Sequence, residues 1–208
     1  MRSRLIGVLL GLSCAMAARP TYGVTYRGGL VTPPLHKPRF VLTDTSGAPF
    51  DFWNRTLGSV TLLFFGYTNC PDQCPMHMAS LGAALKKLPP DIADQIKLVF
   101  VTTDPRRDTP VKLRRWLDHF DKRFVGLTGT DAALEAAQMA AGVGLGRKVG
   151  GSYSAHANFV IAYTKDNLAH LIYPGGVGRD DWIHDLPLLI NGTWQGAARA
   201  ASADARLR

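Results

Sequence analysis

The sequence feature that most constrains the fold is an apolar run that leads directly into a pair of cysteines. Residues 61–67 are short, apolar and aromatic, which is typical of a central strand covered on both faces. The segment Asn69-Cys70-Pro71-Asp72 marks the end of that strand. Pro75 suits the first turn of a helix, so Cys74 is predicted at a helix N-terminus. The cysteines are therefore expected at the carboxyl end of a sheet strand, where open α/β sheets carry their sites.

Cys70 and Cys74 permit two kinds of chemistry at this spacing. They can form a disulfide if their Cα atoms lie within about 7 Å, or they can bind a soft metal ion from one side. The partial positive charge of a helix N-terminus is expected to favour the thiolate form of Cys74. The remaining interpretation is two buried cysteines without a role, but such cysteines rarely flank a Pro-Asp-Gln loop. Redox or metal chemistry is the preferred prediction.

The first residues predict export from the cytoplasm. Two arginines precede an uncharged apolar run over residues 5–18, and Ala15-Met16-Ala17 is typical of a signal cleavage site. The run is shorter than the roughly 20 residues that a membrane-spanning helix needs. We therefore predict a signal peptide over residues 1–17 and a protein in the periplasm or cell envelope. Acylation of Cys14 is the alternative, and it would give membrane association through an N-terminal lipid.

The length and the charge of the remaining chain limit its class. About 190 residues are enough for one domain with a substantial core. We expect an N-terminal arm or tether over 18–37, the domain over 38–192 and a C-terminal tail over 193–208. The formal net charge is +8, and the basic residues are scattered in pairs such as Lys86-Lys87. This distribution argues against nucleic-acid binding and remains compatible with an acidic partner surface.

The hydrophobic pattern predicts an alternating α/β chain. In chain order the elements are a hairpin over 39–50, a helix from the cysteine loop to Pro89, a buried strand over 97–103, a helix that begins near Pro110, a short connector over 125–129, a helix over 131–141, a hairpin over 158–173 and a helix over 179–190. This is the order of a thioredoxin-like fold. We expect a central mixed sheet flanked by helices, with an N-terminal hairpin extension.

Two acids, Asp104 and Asp108, follow the second buried strand. Because strand ends on the same sheet edge are neighbours, either carboxylate could turn toward the cysteines. Capping of the next helix is the favoured role for Asp108, and the role of Asp104 is left open.

The ordered set of motifs resembles the Sco/SenC family of copper chaperones. These motifs are FFGYTNCPDQCP, TTDPRRDTP, VGLTG and a histidine at position 156, and the similarity covers about residues 38–190. The resemblance implies copper binding through Cys70, Cys74 and His156, and delivery of copper to the binuclear copper site of cytochrome c oxidase. It implies a copper-bearing oxidase subunit and a thioredoxin-like reductant as partners, and a metallochaperone more than a catalyst. Family members commonly have Tyr-x-Val-Asp-His before the hairpin strand, whereas residues 153–156 are one residue shorter and lack the acid.

The chemistry of the donors supports copper and leaves zinc open. Cu(I) is soft and accepts three ligands, which two thiolates and a neutral imidazole supply. Zinc would need a fourth ligand, for which His77, Asp72 and Asp104 are candidates. Met76 and Met78 flank His77, and all three are expected mainly as first-turn and core residues, although they could assist copper capture.

The alternative function is an envelope thiol–disulfide oxidoreductase that uses Cys70 and Cys74. Such a pair can be oxidised outside the cytoplasm. Three residues separate these cysteines, however, where thioredoxins have two. His156-Ala157-Asn158-Phe159 also stands where those enzymes carry a proline. A peroxidase of the same fold is the weakest interpretation, because it expects a single peroxidatic cysteine after a threonine at a helix start.

Overall fold

An eight-stranded sheet organises the protein. The computed structural model describes residues 25–144, 148–149, 152–153 and 158–192. The strands are β1 (Gly29–His36), β2 (Val41–Asp44), β3 (Pro49–Asp51), β4 (Val60–Gly66), β5 (Ile96–Thr102), β6 (Val125–Thr128), β7 (Lys148–Val149), β8 (Ser152–Tyr153), β9 (Phe159–Tyr163) and β10 (Leu168–Pro174). The order in the sheet is β1-β10-β9-β4-β5-β6-β2-β3, and β7 pairs with β8 in a separate two-stranded ladder. Strands β4, β5 and β6 run parallel, and the other neighbours are antiparallel.

Helices cover both faces of this sheet. They are α1 (Phe52–Arg55), α2 (Gln73–Leu85), α3 (Pro90–Ala93), α4 (Pro110–Asp118), α5 (Asp131–Ala140) and α6 (Arg179–Asn191). Apolar side chains of α2, α3, α4 and α6 pack on one face, and those of α1 and α5 pack on the other. The predicted mixed sheet flanked by helices is confirmed. Among the described residues, the helices are too short or too polar for any of them to cross a membrane.

Strand β4 is the central element, as its sequence predicted. Successive side chains of a strand point to opposite faces, so Leu62 and Phe64 enter one core while Leu63 and Phe65 enter the other. All four are at most 2% exposed. Each stabilises the fold by about 1.5–3 kcal/mol through burial of apolar surface. Because β4 pairs in parallel with β5 through Gly66 and Thr102, the carboxyl ends of the two strands lie side by side.

The predicted connector over residues 125–129 is wrong, because residues 125–128 form strand β6. The strand pairs with β5 in parallel and with β2 in the opposite direction. A Cβ atom at Gly126 would lie 2.8 Å from Leu117 Cδ1 and 3.0 Å from Leu113 Cγ, so the missing side chain lets α4 pack directly on the strand. A four-residue strand that contains a glycine carries no hydrophobic period, and only its neighbours reveal it.

The last part of the predicted N-terminal arm belongs to the sheet. Residues 29–36 form β1, which pairs with β10 at the edge of the sheet. An edge strand tolerates Pro33 and Pro34, because only one of its sides needs N–H donors for the sheet. The backbone N–H groups of Arg27 and Gly28 donate to the buried Asp185 carboxylate at 2.8 and 3.1 Å and hold this end of the chain. The predicted signal peptide and C-terminal tail lie outside the described residues. The predicted hairpin extension is present as β2 and β3.

Lys37 is a buried amine at the end of the sheet opposite to the cysteines. It is 3% exposed, and its Nζ donates to the Thr56 carbonyl oxygen at 3.2 Å and to Thr61 Oγ1 at 3.4 Å. Burial, followed by the positive charge of Lys97, lowers the pKa of Lys37 to about 8, while Asp166 acts in the opposite direction. The folded protein therefore binds this proton less tightly than the unfolded chain does.

This difference predicts a pH dependence of stability. Between pH 8 and pH 10.5 the unfolded chain binds more protons at Lys37 than the folded chain, so this residue makes folding more favourable as the pH rises. Between about pH 7 and about pH 10, we expect the free energy of unfolding of the wild type to rise by about 2 kcal/mol more than that of Lys37→Met. Denaturant unfolding at both pH values measures this change, with Lys87→Met, at an exposed lysine, as the control. A wild-type-to-variant difference that does not change with pH would contradict the lowered pKa.

Candidate metal centre

The two cysteines lie together at the carboxyl end of β4, as predicted. Helix α2 begins at Gln73, with Asp72 at the N-cap position. Cys70 lies in the loop before the helix and is partly exposed, whereas Cys74 lies in the first turn and is fully buried. Both are free thiols, and the Cys74 backbone N–H donates to Cys70 Sγ at 3.4 Å.

Cys70 is the cysteine whose thiolate the structure stabilises. Burial raises the pKa of its thiol, but hydrogen bonds from the backbone N–H groups of Cys74, Asp72 and Gln73 and from the Cys74 thiol outweigh burial, so the net pKa is lowered. These N–H groups are the unsatisfied donors at the start of α2, and the Asp72 side chain makes no capping bond to them. The sulfur of Cys70 thus occupies the place of an anionic helix cap.

The expectation that the helix N-terminus favours the Cys74 thiolate is wrong. Cys74 is 0% exposed, and burial raises the pKa of its thiol far above the usual range. The backbone N–H of Tyr67 lowers this pKa, while Cys70 and the Asp108 carboxylate raise it further. Because the first N–H groups of a helix point away from it toward the preceding loop, they serve Cys70 and not the cysteine inside the first turn. The two thiols are therefore unequal.

Gly66 lets the end of β4 approach the buried thiol. A Cβ atom at this position would lie 2.9 Å from Cys74 Sγ and 2.8 Å from Phe64 Cε1. Real Cβ atoms do not approach other atoms so closely, and both neighbours are fully buried in the core. A glycine is required here because α2 starts directly above the strand.

Asp108 fastens the cysteine loop to the neighbouring strand. It is fully buried and accepts hydrogen bonds from the backbone N–H of Thr68 at 2.9 Å, from the Thr68 hydroxyl and from Thr102 Oγ1 at 2.7 Å. The prediction that Asp108 caps α4 is wrong, because Thr109 is the cap and accepts from the Lys112 backbone N–H at 3.3 Å. Because Thr109 accepts this N–H at the start of α4, Asp108 is not needed as the cap and its carboxylate binds the loop.

We expect Asp108→Asn to destabilise the protein by about 1–3 kcal/mol, because an amide places a donor against the donors of Thr68 and Thr102. Denaturant unfolding measures this loss. Thr109→Ala removes only the cap of α4 and serves as the control, with an expected cost of about 1 kcal/mol. Amide hydrogen exchange at Thr68 separates the two variants, since only Asp108→Asn should accelerate it. Equal exchange in both would show that the aspartate does not hold the loop.

Other predicted residues surround the pair with different roles. Asp104 is nearly buried and its carboxylate accepts from the Arg107 guanidinium, so its charge is paired. The pKa of the Tyr67 hydroxyl is raised by burial and by the charges of both cysteines, which places this unpredicted side chain beside them. Met78 is fully buried in the core, as expected, while Met76 is about half exposed.

His77 lies inside the protein, close to Asn158, the first residue of the described range 158–192. Its ring is 2% exposed and stands 5.1 Å from the Phe64 ring centroid. Burial lowers its pKa, and a hydrogen bond to the Asn158 backbone acts in the opposite direction. A Cβ atom at Gly175 would lie 2.4 Å from Gln73 Oε1 and 2.7 Å from Asn158 Nδ2, so both amides meet above this glycine. The sequence carries no period or motif that predicts this contact.

His156, the third predicted ligand, lies outside the described residues. Within the described part of the chain, no three side chains of His, Cys, Asp or Glu come together as a group that could hold a metal ion. Neither His77, Asp72 nor Asp104 therefore completes a site with the cysteines in this structure. The donors that the structure brings together are the two sulfurs, which are soft ligands suited to Cu(I) or Zn²⁺.

A thioredoxin-like fold with a thiol pair at the carboxyl end of its central strand defines a class of proteins that perform thiol redox or soft-metal chemistry. A sequence model of the SCO1/SenC family matches residues 31–190. This match covers most of the chain. The chain belongs to the SCO1/SenC family.

Individual relatives agree with this assignment. A protein of Stutzerimonas stutzeri described as a putative copper-binding protein is 37% identical over 107 residues, which are 51% of this chain and 52% of the relative. The mitochondrial protein SCO1 of Saccharomyces cerevisiae is 38% identical over 102 residues, 49% of this chain and 34% of the relative. The matched segment thus spans about half or less of each of these relatives.

Solved structures show the same fold. Apo Sco1 from Thermus thermophilus superposes with a TM-score of 0.70 at 30% identity, over 80% of this chain and 98% of that chain. Yeast Sco1 with copper bound superposes with a TM-score of 0.68 at 26% identity, over 81% and 94% of the two chains. Copper is thus the metal bound in the structure of the yeast relative.

Proposed function

We propose that this protein is an extracytoplasmic copper chaperone that binds one copper ion through Cys70, Cys74 and His156. It passes the ion to the copper-bearing subunit of cytochrome c oxidase, which holds the binuclear copper site. The copper-bound structure of yeast Sco1 supports the metal. The apolar run before residue 18 supports export.

The observation that carries this proposal is the pairing of the two thiols at the start of α2. Cys70 Sγ accepts the Cys74 backbone N–H, and the pKa of its thiol is lowered, so Cys70 is the cysteine that loses its proton more readily. Cys74 would lose its proton when a metal ion binds, since thiolates and not thiols are metal ligands. Two thiolates and one neutral imidazole give a three-coordinate set that Cu(I) accepts.

The position of Asn158 supports His156 as the third ligand. Asn158 lies against Gln73 and His77, which belong to the helix that carries Cys74. Asn158 follows His156 by two positions, and two residues of chain span at most about 7 Å. The length of chain from Asn158 is therefore compatible with a ligand role of His156 beside the cysteines.

Copper stoichiometry of the reduced protein tests the proposal. We expect about one Cu(I) per chain, retained against a competing chelator, because the donor set holds a single three-coordinate ion. Zn²⁺ should compete poorly, since it prefers four ligands. Failure of the reduced protein to bind Cu(I) would refute the chaperone function.

The unequal thiols favour one second candidate, a thiol–disulfide oxidoreductase. In such a reaction the Cys70 thiolate attacks a disulfide of a partner protein and forms a mixed disulfide. Cys74 then displaces the second partner thiol, so two protein thiols are oxidised while one partner disulfide is reduced. A lowered pKa at the partly exposed Cys70 and a raised pKa at the buried Cys74 suit this order of attack.

A further inference from the structure

We propose that a basic and apolar patch around helix α1 docks the protein on an anionic lipid bilayer. This α1 patch consists of Arg39, Trp53, Arg55, Leu57 and Lys97. Docking of this kind is independent of copper binding and goes beyond the proposed function.

Two apolar side chains of the α1 patch reach the surface. Leu57 is 47% exposed and lies just after α1, in a turn where Gly58 has a positive φ of 71°. A Cβ atom at Gly58 would meet no other atom within 4 Å, so this turn faces open space. Trp53, on α1 itself, is partly exposed. Leucine and tryptophan at such positions are side chains that enter the interface of a bilayer.

Three cations accompany these apolar side chains. Arg39 Cζ lies 4.0 Å from the centroid of the Trp53 ring. Arg55 ends α1, and Lys97 Nζ donates to its backbone carbonyl oxygen at 2.6 Å. Arg39 and Arg55 are exposed, and Lys97 is partly exposed. These contacts bring three positive charges to one short helix.

The cations of the α1 patch are not neutralised by carboxylates in the part of the chain that the structure describes. None of the three forms an ion pair there, whereas arginines elsewhere, such as Arg107 and Arg114, pair with aspartates. The pKa of Asp44 is lowered mainly by the hydrogen bond from Ser46, and the charge of Arg55 is the last of its influences. The positive charge is therefore available to an external anion.

A bilayer suits this combination of side chains better than a small anion does. Lipid phosphates bind the cations, while the boundary between headgroups and acyl chains takes up Leu57 and the indole ring of Trp53. A small anion would use the cations alone and leave the apolar side chains in water. A fluid surface also needs no matching shape on the protein. The export predicted from residues 1–17 would bring the protein to such a surface.

Docking through the α1 patch would leave the thiols accessible. Lys97 is the second residue of β5, so it lies near the start of the parallel strands β4 and β5. Cys70 and Cys74 follow the carboxyl end of β4, at the opposite end of these strands. A protein bound through this patch would present its thiol pair away from the bilayer.

Binding of the full-length protein to lipid vesicles tests the proposal. The probes are vesicles of phosphatidylglycerol and phosphatidylcholine in equal parts, and vesicles of phosphatidylcholine alone. Co-sedimentation at low salt gives a partition coefficient for each, and their ratio measures the preference for the anionic surface. The apolar run over residues 5–18 contributes equally in every variant. Amide hydrogen exchange over residues 52–59 reports contact at the patch itself.

Two variants change the α1 patch, and a third is the matched control. Arg39→Glu/Arg55→Glu reverses two of its charges, and Leu57→Ser removes its exposed apolar side chain. Lys87→Glu/Lys122→Glu reverses the same number of charges at exposed lysines outside the patch. Denaturant unfolding of each variant shows whether it is folded.

We expect the wild type to prefer the anionic vesicles and to exchange more slowly over residues 52–59 when it is bound. Arg39→Glu/Arg55→Glu should lower the ratio roughly 25-fold or more, since each arginine at an anionic surface supplies about fivefold. Leu57→Ser should weaken binding to the anionic vesicles about threefold to tenfold, because less apolar area enters the lipid. The control should change the ratio by less than about threefold, since salt screens charges that do not reach the surface.

Three results would overturn the inference. Equal binding of the wild type to both vesicles would exclude an anionic bilayer as the occupant and would favour an acidic protein surface instead. Equal losses in the patch variant and in the control would show that net charge alone drives binding. Unchanged exchange over residues 52–59 in the bound protein would place the membrane contact elsewhere on the chain.

Discussion

Reduced protein that carries Cys74→Ser is expected to lose stoichiometric Cu(I) binding almost completely, and Cys70→Ser to do the same. Each variant leaves a single thiolate, and one sulfur with one imidazole does not hold the ion against a thiol competitor. The hydroxyl oxygen of serine is a hard and weakly acidic donor that does not replace a thiolate for Cu(I). Equilibrium dialysis of the reduced proteins against a Cu(I) chelator measures the effect.

The burial of Cys74 calls for a control of folding. Cys74 is 0% exposed in the core beneath β4, so a buried serine hydroxyl without a partner costs about 1–3 kcal/mol. Cys74→Ala loses the sulfur without burying a hydroxyl and should behave like Cys74→Ser toward copper. In the unprocessed full-length chain, Cys14→Ser is the matched control outside the site and should bind as the wild type does. Stoichiometric Cu(I) binding by the double variant Cys70→Ser/Cys74→Ser would exclude the thiol pair as the metal site.

His156→Ala is expected to lower the affinity for Cu(I) by more than about tenfold while the cysteines still form a disulfide. As a ligand, the histidine supplies the third donor, and its loss leaves a two-coordinate dithiolate that is open to exchange. As a bystander beside a redox pair, it would only change the electrostatics of the thiolates, with an effect of about 1 kcal/mol, roughly fivefold. The size of the loss therefore separates the two functions.

Copper competition and a redox titration of the thiol pair measure the two properties on the same samples. His119→Ala is a suitable control, because His119 lies exposed at the end of α4 and its ring bonds only to the Arg115 carbonyl oxygen among the partners found for it. Oxidase assembly should fail in cells that carry His156→Ala. Retained copper affinity and assembly, together with lost reductase activity toward a protein disulfide, would favour the oxidoreductase instead.

Much of the fold could be predicted because its signals are local. Strand β4 is marked by its own apolar side chains, and α2 by the proline in its first turn. Strand β6 and edge strand β1 could not be predicted, since Gly126 and the prolines of β1 remove the hydrophobic alternation. Both strands exist because a neighbouring strand provides the hydrogen bonds.

Some of the chemistry of the site could likewise be predicted from the sequence, and some depends on tertiary contacts. The identity and spacing of Cys70 and Cys74, and their place after a central strand, follow from the order of residues along the chain. The inequality of their thiols does not, because it depends on burial of Cys74 beneath the sheet and on N–H groups directed at Cys70. The role of Asp108 likewise comes from a partner about 40 residues away along the chain, Thr68. Hydrogen bonding and desolvation act between atoms that folding brings together, and no local pattern of residues encodes which atoms those are.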